Sequence, residues 1–191
     1  MAKRKKTARK ATRKTATDAI ALLKADHRQV ATWFSQFEKT RSPDKKLELA
    51  QNICTALKVH AKIEEEIFYP AFLEATDDKD MHHEAAIEHD GAKKLIAEIE
   101  GSSPSDEYYD ARVTVLSEMI KHHVKEEEQR GGMFAEARDS DMDLQALGEQ
   151  LAARKAELMG EEQSGARGAR RGTRNGSMHG SARPDQPGGR H

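Results

Sequence analysis

Apolar residues recur every three or four positions along four long segments of the chain, the spacing of a single helix face. The first segment runs from about Asp18 to Lys39, with Thr17 as a candidate N-cap. Its stripe reads Ile20, Leu23, His27, Val30, Phe34 and Phe37. The second opens on Ser42-Pro43, a cap followed by proline in the first turn. It carries Leu49, Ile53, Leu57, His60, Glu64 and Ile67 towards Pro70, where a kink or an end is expected. The third spans about Lys79 to Glu100, with Ala85, His89, Ala92, Ile96 and Ile99 on one face and Gly101 as a stop. The fourth opens on Ser103-Pro104 and carries Tyr109, Val113, Leu116, Ile120, His123 and Glu127 before Gly131-Gly132 break it. A shorter amphipathic helix, Ser140 to about Met159, shows Leu144, Leu147, Leu151 and Leu158 on one side. Short connections between long helices make neighbours antiparallel. The expected fold is therefore all-α, an up-down-up-down four-helix bundle over residues 18–137, with a short extra helix over 138–159.

Four histidines and two glutamates interrupt these stripes where the period demands apolar residues. Glutamate is rarely buried without a partner, because removing a charge from water costs several kcal/mol or more. No Lys or Arg lies on the same stripes to compensate. His60 and Glu64, like His123 and Glu127, are four residues apart, so each pair projects from one helix face towards a common point. The spacing also repeats. Asp26-His27 precedes His60 by 33 residues, Glu88-His89 precedes His123 by 34, and each second helix bears His-x-x-x-Glu. Two such hairpins about an approximate two-fold axis make a symmetric centre. The expected metal ligands are His27, His60, Glu64, His89, His123 and Glu127, holding two ions. Imidazole and carboxylate without thiolate suit iron, manganese or zinc. With both carboxylates bridging and one solvent-derived bridge, each ion keeps an open position.

On His27, the stretch H-A-K-I-E-E-E-I-F-Y-P from His60 to Pro70, the Glu88-His89 pair and H-V-K-E-E-E from His123, the sequence resembles the hemerythrin-like, or HHE cation-binding, family. The resemblance covers about residues 18–137. It implies a non-haem di-iron centre, two irons per chain, bridged by carboxylates and by oxo or hydroxo groups. The chain departs from the oxygen carriers of that family in two places. Lys93 stands one turn after His89 where the carriers have a second histidine, and the last helix has His-x-x-x-Glu instead of His-x-x-x-x-Asp. These departures point away from reversible oxygen carriage and towards chemistry with oxygen, peroxide or nitric oxide. The ferritin-like alternative uses Glu-x-x-His, and no glutamate lies three residues before any histidine of this chain.

Other candidates read as ordinary residues. His82, His83 and His122 lie off or at the edge of the stripes. Glu65, Glu66, Glu126 and Glu128 read as surface charges. Tyr69 and Tyr109 read as core tyrosines that can still approach the centre, and Trp33 as packing. The single Cys54 excludes an internal disulfide and a thiolate metal cage, and reads as a small buried hydrophobe.

Charge is distributed unevenly. Residues 1–17 carry eight Lys/Arg and no acid, and 160–191 carry six Arg against three acids. With a net charge of −1, residues 18–159 are left at about −12. Both ends read as disordered basic tails, the second rich in Gly and Arg. The arm 1–17 has three readings: a binder of nucleic acid that does not read sequence, a solvated arm that keeps an acidic body soluble, or, as a lesser option weakened by the lack of an apolar face, a mitochondrial-type presequence. There is no apolar run long enough for a membrane span and no secretory signal pattern, so a cytoplasmic setting is expected. A monomer is expected, with a dimer as the alternative. Three function classes remain open: a redox protein acting on oxygen, peroxide or nitric oxide (as an enzyme or not), an iron- or oxygen-sensing or storage module, and a DNA-associated protective protein.

Overall fold

A computed structural model of the chain describes residues 17–174. Its long elements are α1 (Ala19–Lys39), α2 (Pro43–Ile63), a π-helical turn (Glu64–Phe68) leading into α3 (Tyr69–Thr76), α4 (Lys79–Glu100) and α5 (Tyr109–Glu128). α6 (Met133–Asp139) and α7 (Leu144–Arg174) follow. α1 packs on α2 and α5, and α4 packs on α5 and α2, which closes an up-down-up-down bundle. α7 lies along α1, α2 and the π-helical turn.

Helix starts follow local hydrogen bonding. Asp18 accepts from the Ala21 amide at 2.7 Å and Asp78 from the Met81 amide at 3.0 Å. These caps satisfy donors that the first turn leaves free. α5 begins later than Ser103-Pro104 suggests. Residues 102–108 form tight turns in which Asp106 accepts from the Tyr108 amide and from Arg112, so the helix starts at Tyr109. Gly131 and Gly132 end α5 as expected. Gly131 has φ of +77°, and a β-carbon on Gly132 would run into the Glu126 carbonyl.

Pro70 does not end the second helix, which continues through the proline to Thr76. The distortion lies one turn earlier, where the Tyr69 amide bonds back to the Glu64 carbonyl five residues away. Proline has no N–H and its ring crowds the carbonyl four residues before it, here Glu66, so widening the preceding turn relieves the clash. The last helix is also longer than expected. It continues past Met159 to Arg174, and Glu162 on this extension accepts from Lys58 at 3.1 Å. The 160–191 tail of the sequence reading is thus helical in its first half. Residues 1–16 and 175–191, the remainder of the expected tails, lie outside the described residues.

Two apolar clusters fill the molecule. One joins Ile20, Leu23, Ile63, Phe68, Phe72, Phe134, Leu151 and Leu158; the other joins Val30, Phe34, Leu49, Ile53, Cys54, Ile96, Tyr109 and Leu116. Among the buried polar residues are His27, His60, Glu64, His89, His123 and Glu127. Along α1 and α4, His27 and His89 fall between residues of one cluster and residues of the other.

Candidate metal centre

All six sequence-predicted residues meet in the core, none more than 7% exposed. Their inner atoms form two groups that share Glu64. His27, His60, Glu64 and Glu127 make the first; Glu64, His89 and His123 make the second. Within each group the donor atoms lie within 4.8 Å of one another, an arrangement that can hold a metal ion. Glu64 reaches His60 Nε2 through Oε1 at 3.1 Å and His89 Nε2 through Oε2 at 3.4 Å. Glu127 mirrors it, with Oε2 at 3.4 Å from His27 Nε2 and Oε1 at 3.7 Å from His123 Nε2. Each carboxylate therefore spans both hairpins.

The outer nitrogens follow the same two-fold pattern. His27 Nδ1 donates to Glu128 at 2.7 Å and His89 Nδ1 to Glu65 at 2.9 Å. His60 Nδ1 faces Asp26 at 3.5 Å and His123 Nδ1 donates to Glu88 at 2.8 Å. Glu65 and Glu128 are thus not the free surface charges the stripes suggested. Each follows an inward glutamate and backs the imidazole of the opposite hairpin. The signal was present in the repeat, where Glu-Glu recurs at 64–65 and 127–128 and an acid precedes both His27 and His89.

This outer shell decides what the centre can bind. A carboxylate only accepts, so each Nδ1 carries a proton, and Nε2 is the atom through which each imidazole, once neutral, would offer a lone pair to a cation. These Nε2 atoms face one another at 3.0 Å between His27 and His60 and at 3.3 Å between His89 and His123. Glu64 Oε1 and Glu127 Oε2 are buried and accept no hydrogen bond, since the short approach of Glu64 Oε1 to His60 is poorly directed for one. Converging Nε2 atoms and anionic oxygens require positive charge between them. The donor set fits cations.

Titration behaviour expresses the same demand. Burial and the neighbouring His60 hold His27 down to about 4. His60 is pushed up to about 10: burial opposes this, but Glu64 and Asp26 outweigh it. His89 is also raised, against its burial, by Glu64 and Glu65. Burial and the adjacent Glu64 carboxylate lift Glu127 to about 8, while Glu64, despite its burial, is held low by His60 and His89. Protons on His60, His89 and Glu127 thus supply charge that a cation would otherwise provide.

Tyr69 belongs to the centre, in contrast to its reading as ordinary core. Its hydroxyl stands 3.2 Å from Glu127 Oε1, 3.4 Å from Glu64 Oε2 and 3.2 Å from His89 Nε2. The π-helical turn is responsible. In an α-helix residues five apart point about 140° away from each other, whereas the widened turn returns Tyr69 to the face of Glu64. Burial, then Glu64 and Glu127, push the phenol well above its usual range, so it stays a hydroxyl donor. Tyr109 packs instead with Phe37 in the second cluster. His82 is half-buried edge-on to Tyr69, and its Nδ1 has no partner. Lys93 bonds Glu65 at 2.7 and 2.9 Å and does not enter the centre. Cys54 is buried with its thiol raised to about 12 by desolvation, which leaves it inert.

One approach to the centre is visible. A cavity of about 100 Å³ is lined by Met81, Glu84, Glu88, Glu126 and Met133 and reaches His123 and Glu127. Its acidic lining favours cations and neutral molecules over anions.

The hemerythrin HHE cation binding domain matches residues 18–131 of the chain. The protein belongs to that family. A hemerythrin HHE cation binding domain-containing protein from Mycobacterium kansasii superposes with a TM-score of 0.65 at 23% identity, over 78% of this chain and 92% of that one. It supports the same fold. A DNA nickase of Nostoc sp. is 29% identical over 122 residues, 62% of this chain. This HHE protein spans only a third of that relative's length. No helix among the described residues is long and apolar enough to cross a membrane.

Proposed function

We propose that this HHE protein binds two iron ions through His27, His60, Glu64, His89, His123 and Glu127 and reacts there with a small neutral oxidant: oxygen, peroxide or nitric oxide. The observation that carries the reading is the inward convergence of four imidazole Nε2 atoms on two buried carboxylates, each with an unpartnered oxygen. Bound iron would supply redox equivalents and a Lewis-acidic position for the small molecule. The protein's own part is to hold each Nδ1 proton on a carboxylate, to exclude bulk water and to offer the Tyr69 hydroxyl as the proton-bearing group beside Glu127 and His89. The cavity beside His123 is the access route, and its acids would favour uncharged reactants. Lys93, committed to Glu65, supports this reading over reversible oxygen carriage, because the His89 side has no second imidazole one turn on.

The test is anaerobic loading with ferrous iron, followed by metal analysis and peroxide consumption. About two irons per chain are expected, with peroxide consumed by the loaded protein and not by His60→Ala. One iron or fewer, unchanged by His27→Ala or His123→Ala, overturns the two-ion reading. Clean, repeated oxygenation without oxidation overturns the reactivity.

A second reading is favoured by two observations: the eight Lys/Arg within residues 1–17 and the similarity to a DNA nickase. In it the arm tethers the metal-binding body to nucleic acid without reading sequence. Sensing or storage of iron uses the same centre, and the absence of peroxide turnover by fully loaded protein would favour it.

A further inference from the structure

Each imidazole of the centre is backed by a carboxylate, and each carboxylate in turn by a base. Glu128 meets Lys24 at 2.9 Å, Glu65 meets Lys93 at 2.7 Å, and Glu88 meets His122 at 3.3 Å. These three bases come from α1, α4 and α5, the bundle's own helices. The fourth carboxylate, Asp26, is bonded by Lys155, which comes from α7. α7 lies beyond residues 18–131, the span of the family match.

The Asp26 link is also the one most dependent on its outer partner. Its contact with His60 is 3.5 Å, against 2.7 to 2.9 Å for the other three carboxylates. One weak hydrogen bond cannot orient a carboxylate. Lys155 engages Asp26 through Oδ1, which leaves Oδ2 turned towards His60. α7 in turn is firmly seated. Leu151 and Leu158 are buried in the core. Arg154 forks onto Glu66 at 2.7 and 3.3 Å, two residues from Glu64 in the π-helical turn. At Gly148 a β-carbon would run into the Thr17 backbone at the head of α1. The helix therefore grips both segments that carry His60, Glu64 and Asp26.

We propose that Lys155 is a positioning residue for the metal centre: it fixes Asp26 and, through it, the tautomer and aim of His60, so that α7 is a working part of the site. This rests on the metal-binding reading above. Outer partners of this kind change metal affinity by about 10- to 100-fold when removed.

The test compares full-length wild type, Lys155→Met and Lys155→Arg. Two readouts are taken: the rise in melting temperature on anaerobic loading with ferrous iron, and the rate of iron release to a strong chelator. Lys155→Met keeps the aliphatic stem and should shrink the metal-induced rise and speed release of iron about tenfold, with Lys155→Arg restoring both. Lys155→Gln serves the same comparison if the methionine variant does not fold. A metal-induced rise and release rate equal to wild type overturn the proposal. So does an equal loss of stability in chelated and loaded protein, the signature of packing alone. If wild type itself shows no metal-induced rise, the metal-binding reading fails, and the role of Lys155 fails with it.

Discussion

Tyr69 donates its hydroxyl to Glu127 across the interior of the bundle, at 3.2 Å from oxygen to Oε1, although 58 residues separate them. The phenol is one donor facing two carboxylates, and its raised pKa keeps the proton on oxygen. Tyr69→Phe should leave the iron content unchanged and cost metal-free protein on the order of 1 kcal/mol, since Glu127 loses a buried donor. Thermal melts of chelated protein and metal analysis check this together. A fall in iron content would show that the phenol oxygen is itself a ligand.

Glu127 makes the metal-free protein sensitive to alkali. Its folded pKa of about 8 lies above the carboxylate value of 4.5, so the folded state favours the protonated form. Its contribution is fully present below 4.5 and is lost as pH rises through 8. His60, raised to about 10, loses its contribution between 6.5 and 10 in the same direction. His27, lowered to about 4, acts only below 6.5 and in the opposite sense. Chelated protein should therefore melt at lower temperature at pH 9 than at pH 7. Glu127→Gln should flatten part of that slope. Iron binding should strengthen over the same range, because the metal displaces these protons.

Removing an outer carboxylate should weaken the centre without unfolding the bundle. Glu65→Ala and Glu88→Ala each free an Nδ1 proton and should lower iron affinity about 10- to 100-fold. Glu118→Ala, on an exposed position of α5, should change nothing. Competition with a chromogenic chelator measures all three. Equal affinities across the set would mean that these carboxylates are only surface pairs.

The arm makes a separate prediction. Full-length protein should shift duplex DNA at low salt, with affinity falling on the order of a hundredfold or more from 50 to 200 mM salt. Deleting residues 1–17 should sharply weaken binding, and the body over 18–159 alone should not bind, because it carries about −12 and repels phosphate. Unchanged binding after that deletion would leave the arm as a solubilising tail.

The sequence by itself determined the four long helices of the bundle and the six inward residues, because both obey a local rule. A helix places residues three and four apart on one face, so polar residues at apolar positions of α1, α2, α4 and α5 must enter the core wherever the chain leads. The repeat even prescribed the symmetry, since 26–27, 60 and 64–65 recur at 88–89, 123 and 127–128. What only the tertiary structure decided are relations between helices. Glu65 and Glu128 sit on the polar side of their own stripes, and nothing local shows that the opposite hairpin's imidazoles reach them. Tyr69 was placed by a π-helical turn that the 3.6-residue period does not describe. Lys155 finds Asp26 from 129 residues away. Periodicity says which face of a helix is buried; which groups complete one another across that face depends on packing, and packing is a property of the whole fold.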